Sequence, residues 1–298
     1  MEQFEELIRI PLGQWVRSII DFLKEYLGGF FDVVATVFSA IYDAAAWVFT
    51  APPFWAIIVV FTAAAWLVKG AKLAIGTFVG FVVILAVDQW QNAMLTLALT
   101  IVAVLIATAI AIPVGIWAAR SQTVSNVVRP VLDFLQTMPA FVYLLPAIFL
   151  FSVGVVPGIV ATIMFAVAPG VRLTELGIRG VDPEVVEAGQ AFGATPGRVL
   201  RQIQLPLALP SIMAGINQII MLSLSMSVIA SMVGAPGLGR PIVQALSSVN
   251  VPLGFEAGLA VVMIAMILDR LTGALGTRRR RPRAVATAPA SEPVAATA

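Results

Sequence analysis

The chain has 298 residues and a formal net charge of +2; 60% of its residues are hydrophobic and only 11% are charged, with a mean hydropathy of +0.98. Soluble domains carry about 25% charged residues, so this composition excludes a protein surrounded by water alone and indicates a chain partly solvated by lipid. The absence of cysteine and histidine excludes disulfides, thiol and imidazole catalysis and the usual zinc sites, and the small net charge does not indicate nucleic-acid binding.

The first fifty residues form a segment of their own. The chain begins MEQFEELIRI, with glutamates where a secretory signal would carry positive charge, so we expect no cleaved leader. Residues 14–27 place charged and apolar side chains on opposite faces, which predicts an amphipathic helix on the membrane surface. Residues 30–49 carry a polar stripe and fit either a second surface helix, which we favour, or an eighth span packed against the bundle.

Long uncharged runs mark the membrane spans. A spanning helix needs about 20 mostly apolar residues, and no charged residue lies between Asp88 and Arg120, between Asp133 and Arg172, or between Arg201 and Arg240. The second run is too long for one helix, and FSVGVVPGI around Gly154 predicts a tight turn within it. We therefore predict seven spans and an all-α polytopic membrane protein. The spans are 54–69, 72–87, 92–118, 138–153, 156–172, 211–233 and 255–272.

Lysine and arginine in the connections set the orientation. Lys69 and Lys72, the arginines after the third span, those around 172–201, and Arg278–Arg281 all fall on one side if there are seven spans. Basic connections stay in the cytoplasm, so the C-terminus is predicted to be cytoplasmic and the N-terminus outside. The tail 277–298 is arginine-rich and then Ala/Pro-rich, which is typical of disorder.

A cytoplasmic segment, 182–210, reads DPEVVEAGQAFGATPGRVLRQIQLPLALP. Asp182 and Pro183 predict a helix start, and Gly193 suits a left-handed stop. Thr195 and Pro196 then repeat the start, and a second short helix is expected to end at Pro206. The small residues near the bend would let another backbone approach, which is the geometry of a knob that docks into a partner's groove.

The same segment resembles the cytoplasmic Glu-Ala-Ala loop of ABC-importer permeases. The matching residues are Glu187, Ala188, Gly189 (where the pattern has a second alanine), Gly193, Ile203, Leu205 and Pro206. The passages LQTMPAFVYLLPAIFLF (135–151) and LPLALPSIMAGINQIIMLSLSMSVIASMVGAPGLG (205–239) are similar to the permease subunits of glycine betaine/proline betaine ABC importers, the ProW type, in the binding-protein-dependent transport permease family. The resemblance covers roughly residues 10–275.

This resemblance implies the transmembrane domain of a type I ABC importer, with glycine betaine, a related quaternary amine or proline as cargo. Choline, carnitine or another amine remains an alternative, and a stand-alone secondary transporter or channel is a further rival. It also implies three partners: a second permease copy, two ATPases that each receive one 182–206 loop, and a separate extracytoplasmic binding protein. Residues 51–90 would be two accessory spans, and 91–276 the permease core.

The chain itself is not expected to be an enzyme. A nucleotide-binding P-loop needs Gly-x-x-x-x-Gly-Lys-Ser/Thr, and none of the three lysines, Lys24, Lys69 and Lys72, follows a glycine. We expect no cofactor and no metal in this chain, and ATP and magnesium are expected in the partner ATPase.

Four residues are candidates for the translocation path. Asn217 and Gln218 are polar within an apolar span, where polar groups face protein or water; helix packing is the alternative interpretation. Phe141 and Tyr143 could bind a quaternary ammonium through cation–π contacts, although ordinary core or lipid-facing aromatics are the interpretation we favour.

Overall fold

The computed structural model describes the backbone of residues 12–277 and the side chains of residues 13–273, and within this range the chain is helical with no strand. The predicted signal-free start and the predicted disordered tail therefore lie, apart from Thr277, outside the described residues. The helices are α1 (Leu12–Thr50), α2 (Phe54–Lys69), α3 (Ala71–Ala86), α4 (Trp90–Arg120), α5 (Gln122–Thr137), α6 (Leu144–Phe151), α7 (Val155–Arg179), α8 (Pro183–Ala191), α9 (Pro196–Val199), α10 (Leu205–Ala230), α11 (Gly239–Ser248) and α12 (Val251–Thr277).

Five helical stretches among the described residues are long and apolar enough to cross a bilayer: α1, α4, α7, the continuous run from α9 through α10, and α12. A sixth candidate is α5 with the 140–151 segment, which together pass the same test but are bent by 110°. The shorter α2 and α3 are apolar and have 16 residues each, roughly 24 Å of helix. These elements confirm the predicted all-α polytopic architecture, with about the predicted number of spans.

The N-terminal segment differs from its favoured interpretation. Residues 12–50 form one unbroken helix where two were expected. Its first half is largely exposed, but Phe38, Tyr42 and Phe49 pack against the core formed by α4 and α7. The polar stripe of residues 30–49 leaves a second, apolar face, and that face is what the bundle covers.

Two breaks shape the middle of the chain. The turn predicted near Gly154 is confirmed at residues 152–154, where Gly154 has φ +151° and its N–H donates to the carbonyl of Val233 at 2.9 Å. The second break lies at Met138–Pro139, where α5 ends and the chain bends by 110° before a short 3₁₀ turn and α6. Proline disfavours helical geometry in the residue before it, which explains this break.

The core is centred on α7, which packs between α4 and α10 through small residues. A Cβ on Gly170 would lie 2.5 Å from the Ile219 side chain and 2.8 Å from Ala111, and one on Gly115 would lie 2.6 Å from Thr174. Small residues let membrane helices approach closely, since packing and not the hydrophobic effect drives their association in lipid. A second apolar cluster joins α2, α3, α4 and α12 through Ile58, Phe81, Met94 and Ile264.

The second loop helix does not end at Pro206 as expected. The chain continues from α9 into a π-helical turn, Leu200–Gln204, and then directly into α10, with Pro206 in its first turn. A proline removes a backbone donor and clashes with the carbonyl four residues earlier, which here belongs to Gln202. The wider π turn accommodates this clash, so the helix continues instead of stopping.

Candidate functional site: the 182–206 loop and the helices behind it

The 182–206 loop has the predicted helix–turn–helix start and bend. The Asp182 side chain caps α8 by accepting from the Glu184 N–H at 2.9 Å, and Pro183 occupies the first turn. Gly193 has φ +79°, and its N–H donates to the Gln190 carbonyl at 2.8 Å. This left-handed stop reverses the chain at a position where a side chain would be strained.

One face of α8 is apolar and uncovered. Val185, Ala188 and Phe192 recur at helical spacing, all three are exposed, and Phe192 is 93% exposed. A phenylalanine ring this exposed is unusual unless another surface covers it. The described part of the chain supplies no such surface, so the stripe is suited to a partner.

The opposite side of the loop is fixed to the bundle. Val199 and Leu200 are buried, and Leu200 packs with Ile178 of α7 and with Ala208 and Ile212 of α10. The loop is therefore in direct contact with the end of α7 and the start of α10.

The residue that departs from the family pattern has an internal role. A Cβ on Gly189 would lie 2.4 Å from the Ile203 Cδ1 atom, so this glycine makes room for an isoleucine of the same loop. The small residue at 189 is thus used in packing α8 on the π turn and does not face outward to a partner, as the spacing of small residues had suggested.

The remaining predicted loop residues lie around this contact. Glu187 is exposed and borders a cleft of about 730 Å³ that also includes Arg120, Gln190 and Gln204. Leu205 is half-buried, and Pro206 is exposed at the start of α10. All seven motif residues therefore belong to one compact unit, with Glu187 and Ala188 at its surface and Ile203 inside it.

The two polar path candidates in α10 have different surroundings. The Asn217 Nδ2 group donates to Asp269 Oδ1 at 2.9 Å, and Asn217 Oδ1 accepts from Thr272 Oγ1 at 2.9 Å. Both partners belong to α12, so this amide joins two helices. Gln218 is exposed, with no hydrogen bond from its side chain among the described residues.

The two aromatic candidates also differ. Phe141 is exposed at the bend after α5. Tyr143 is fully buried, its hydroxyl donates to the Leu135 carbonyl, and its ring meets Phe165 edge-on with centroids 5.9 Å apart. The Tyr143 ring is occupied in the core, which agrees with the interpretation favoured for it, whereas Phe141 remains open to a ligand or partner.

A buried carboxylate just before the loop was missed in the sequence. Glu175 lies in α7, which extends seven residues past the predicted span end at 172, and its side chain is 5% exposed. Its Oε1 atom accepts from Ser125 Oγ at 2.7 Å and from Arg129 Nη2 at 3.0 Å. Arg179 one turn on is the only partner that local spacing could have indicated; Ser125 and Arg129 lie on α5, about fifty positions away.

Comparisons with known proteins match most of the chain. The family model described as "Binding-protein-dependent transport system inner membrane component" matches residues 111–281, from within α4 onward. The chain is similar to the glycine betaine transport system permease protein OpuAB of Bacillus subtilis (strain 168), with 43% identity over 276 residues that cover 93% of this chain and 98% of that protein.

Two further relatives and one solved structure extend the likeness. The chain is 46% identical to the glycine betaine/carnitine transport permease protein GbuB of Listeria monocytogenes, covering 91% of this chain and 97% of that one. It is 42% identical to the glycine betaine/proline betaine transport system permease protein ProW of Escherichia coli (strain K12), covering 91% and 77%. A chain of the MetNI methionine ABC transporter, in an inward-facing conformation, matches with a TM-score of 0.51 and 25% identity over 61% of this chain and 90% of that chain.

The helix order, the loop with its exposed stripe and these likenesses lead to one assignment. The chain belongs to the family of binding-protein-dependent transport system inner membrane components, and it is a multi-pass permease of that family.

Proposed function

We propose that this chain is the permease subunit of an ATP-driven importer of glycine betaine or a closely related quaternary amine. The observation that carries the mechanism is the uncovered apolar stripe of α8, anchored from behind to α7 and α10. The cargo class is supported by the relatives at 42–46% identity, whose names all include glycine betaine.

The assembly would contain two copies of the chain, two ATPases and an extracytoplasmic binding protein. Each ATPase would receive one 182–206 loop, with Phe192 as the apolar anchor and Glu187 as a polar contact beside it. ATP and magnesium would bind in the ATPase, and movement of the ATPases would displace α8. The buried contact of Leu200 with Ile178 would then move α7 and α10 and open the path to alternate sides of the membrane.

The chemistry of the cargo suits the uncharged interior. Glycine betaine is a zwitterion whose quaternary ammonium cannot lose its charge or donate a hydrogen bond. No charged residue lies between Asp133 and Arg172 or between Arg201 and Arg240, so a path along α6, the part of α7 before Arg172, and α10 offers no fixed charge to trap either end of the molecule. Exposed Phe141 and Gln218 are the candidate lining residues of this path.

Uptake into proteoliposomes tests the proposal. The chain, reconstituted with its ATPase and binding protein, should accumulate radiolabelled glycine betaine only when ATP is inside with the ATPase, and excess unlabelled proline betaine should compete. Choline and carnitine added as competitors test the alternative cargoes. Uptake that proceeds without ATPase or ATP would instead identify a stand-alone transporter and contradict the proposal.

A further inference from the structure

Two helices that precede the loop are joined by a buried polar cluster. Glu175 of α7 is 5% exposed, and its Oε1 atom accepts hydrogen bonds from Ser125 Oγ at 2.7 Å and Arg129 Nη2 at 3.0 Å and forms an ion pair with Arg179 Nε at 3.1 Å. Ser125 is itself buried. A carboxylate removed from water this far must be paired and hydrogen-bonded. Here two hydrogen-bond donors on α5 and the Arg179 guanidinium on α7 satisfy it.

The cluster continues to a third segment through Arg179. Its Nη2 group donates to the Ala118 carbonyl at 2.8 Å, near the end of α4, and its Nη1 group donates to Gln122 Oε1 at 2.7 Å, at the start of α5. The ends of α4 and α7 and the first half of α5 therefore meet at the Glu175 carboxylate and the Arg179 guanidinium. Arg179 lies three residues before Asp182, which caps α8.

The first half of α5 depends on this cluster more than the second half does. In the second half Leu132 is buried and Leu135 packs against the main core. In the first half Val128 makes the apolar contact, and Ser125 and Arg129 are hydrogen-bonded to Glu175 of α7. The outer face, with Val127, Val131 and Phe134, is exposed.

Stability alone is a weak reason for this arrangement. Replacing a buried ion cluster by apolar residues of similar size often leaves a protein equally or more stable, while removing one partner is costly. Such a cluster instead fixes one relative position of the joined elements. Here the joined elements are the helix that carries the loop and the helix that leads into the 110° bend at 138–139.

We propose that Glu175 is a positioning residue that makes α5 move together with the cytoplasmic end of α7, so that displacement of the 182–206 loop reaches the bend beside Phe141. This inference rests on the proposed function, because the loop is displaced only if an ATPase docks on it. The exposed pair of Asp133 and Arg172 joins the same two helices with side chains 63% and 40% exposed, and surface pairs contribute little. It therefore provides a matched control.

The first test compares transport with ATP hydrolysis in the reconstituted complex. Glu175→Gln should lower betaine uptake per ATP hydrolysed by about five-fold while ATPase association and basal hydrolysis stay near native, and Ser125→Ala should have a smaller effect in the same direction. Asp133→Asn should leave the ratio unchanged. A Glu175→Gln complex that is less thermostable but transports with the native ratio would show a structural role only and overturn the proposal.

The second test measures the movement directly, using the absence of native cysteine. Spin labels at Val127→Cys on α5 and Glu184→Cys on α8, both exposed positions, should give the same distance in nucleotide-free and ATP-trapped complexes, and Glu175→Gln should broaden that distribution. A native distance that differs between the two states would overturn the proposal even if Glu175→Gln fails to assemble. Native complexes that hydrolyse ATP but take up no betaine would contradict the proposed function. The distance measurement would then still test the role proposed for Glu175.

Discussion

Gly189 shows how a single residue adjusts the loop. Its hydrogen occupies the space in front of the Ile203 Cδ1 atom, where a Cβ would lie at 2.4 Å. The missing methyl at Gly189 leaves room for the terminal methyl of Ile203.

Substitutions at Gly189 and Ile203 are expected to have non-additive effects on the free energy of unfolding. Gly189→Ala gains about 1 kcal/mol of helix propensity but must displace the flexible end of Ile203, so its net effect on stability should be small. Ile203→Val removes the Cδ1 atom and should cost about 0.5–1.5 kcal/mol alone. In the double variant only the propensity gain of about 1 kcal/mol remains, so a thermal-unfolding cycle in detergent should give a favourable coupling of about 1.5–2.5 kcal/mol. Strict additivity would show that the two side chains do not compete for this space.

The contact of α10 with α12 depends on a polar residue inside an apolar span. A polar residue inside an apolar span can serve a path or a helix contact, and composition alone does not separate the two. The structure places both ends of the Asn217 amide on α12 side chains, whereas neighbouring Gln218 points out of the described bundle.

The neighbouring amides of α10 should therefore respond differently to truncation. Asn217→Ala leaves Asp269 and Thr272 without their partner and should lower stability by about 1–3 kcal/mol, with uptake per folded complex retained. Gln218→Ala should leave the unfolding temperature unchanged, and a change in its uptake or cargo preference would place it in the path. If Asn217→Ala abolishes uptake at native stability, the helix-contact assignment is wrong.

These elements also show which features were predictable. Local rules predicted the Asp182 cap, the Gly193 stop and the turn at 152–154, because each depends on neighbouring residues. The Glu175 cluster was missed because its main partners, Ser125 and Arg129, lie on another helix. The predicted helix end at Pro206 was wrong because a π turn at 200–204, which no sequence rule indicated, lets the helix continue past this proline.

At the scale of the whole molecule, orientation is the main open prediction. The charge count places the loop in the cytoplasm and the α11–α12 connection outside. The packing of Phe38, Tyr42 and Phe49 on the core favours α1 as an eighth span, which would move the N-terminus from the predicted outer side to the cytoplasm.

Labelling of single cysteines in the cysteine-free chain tests this orientation. Phe192→Cys should react with an impermeant maleimide only in inside-out vesicles, and Val249→Cys only in right-side-out vesicles, since both positions are exposed and lie at opposite ends. Gly13→Cys should share the behaviour of Phe192→Cys if α1 spans the membrane. Labelling of residues 192 and 249 from the same side would contradict the span assignment as a whole.

Docking of an ATPase on the exposed stripe of α8 is the central claim, and retention of the ATPase during purification tests it most directly. A co-expressed ABC ATPase of the same importer should co-purify with the native permease in detergent. Phe192→Arg should release the ATPase, because a charge replaces the 93% exposed apolar anchor, while Leu246→Arg at the opposite end should retain it. Equal retention by both variants, or no retention by the native chain, would contradict the account.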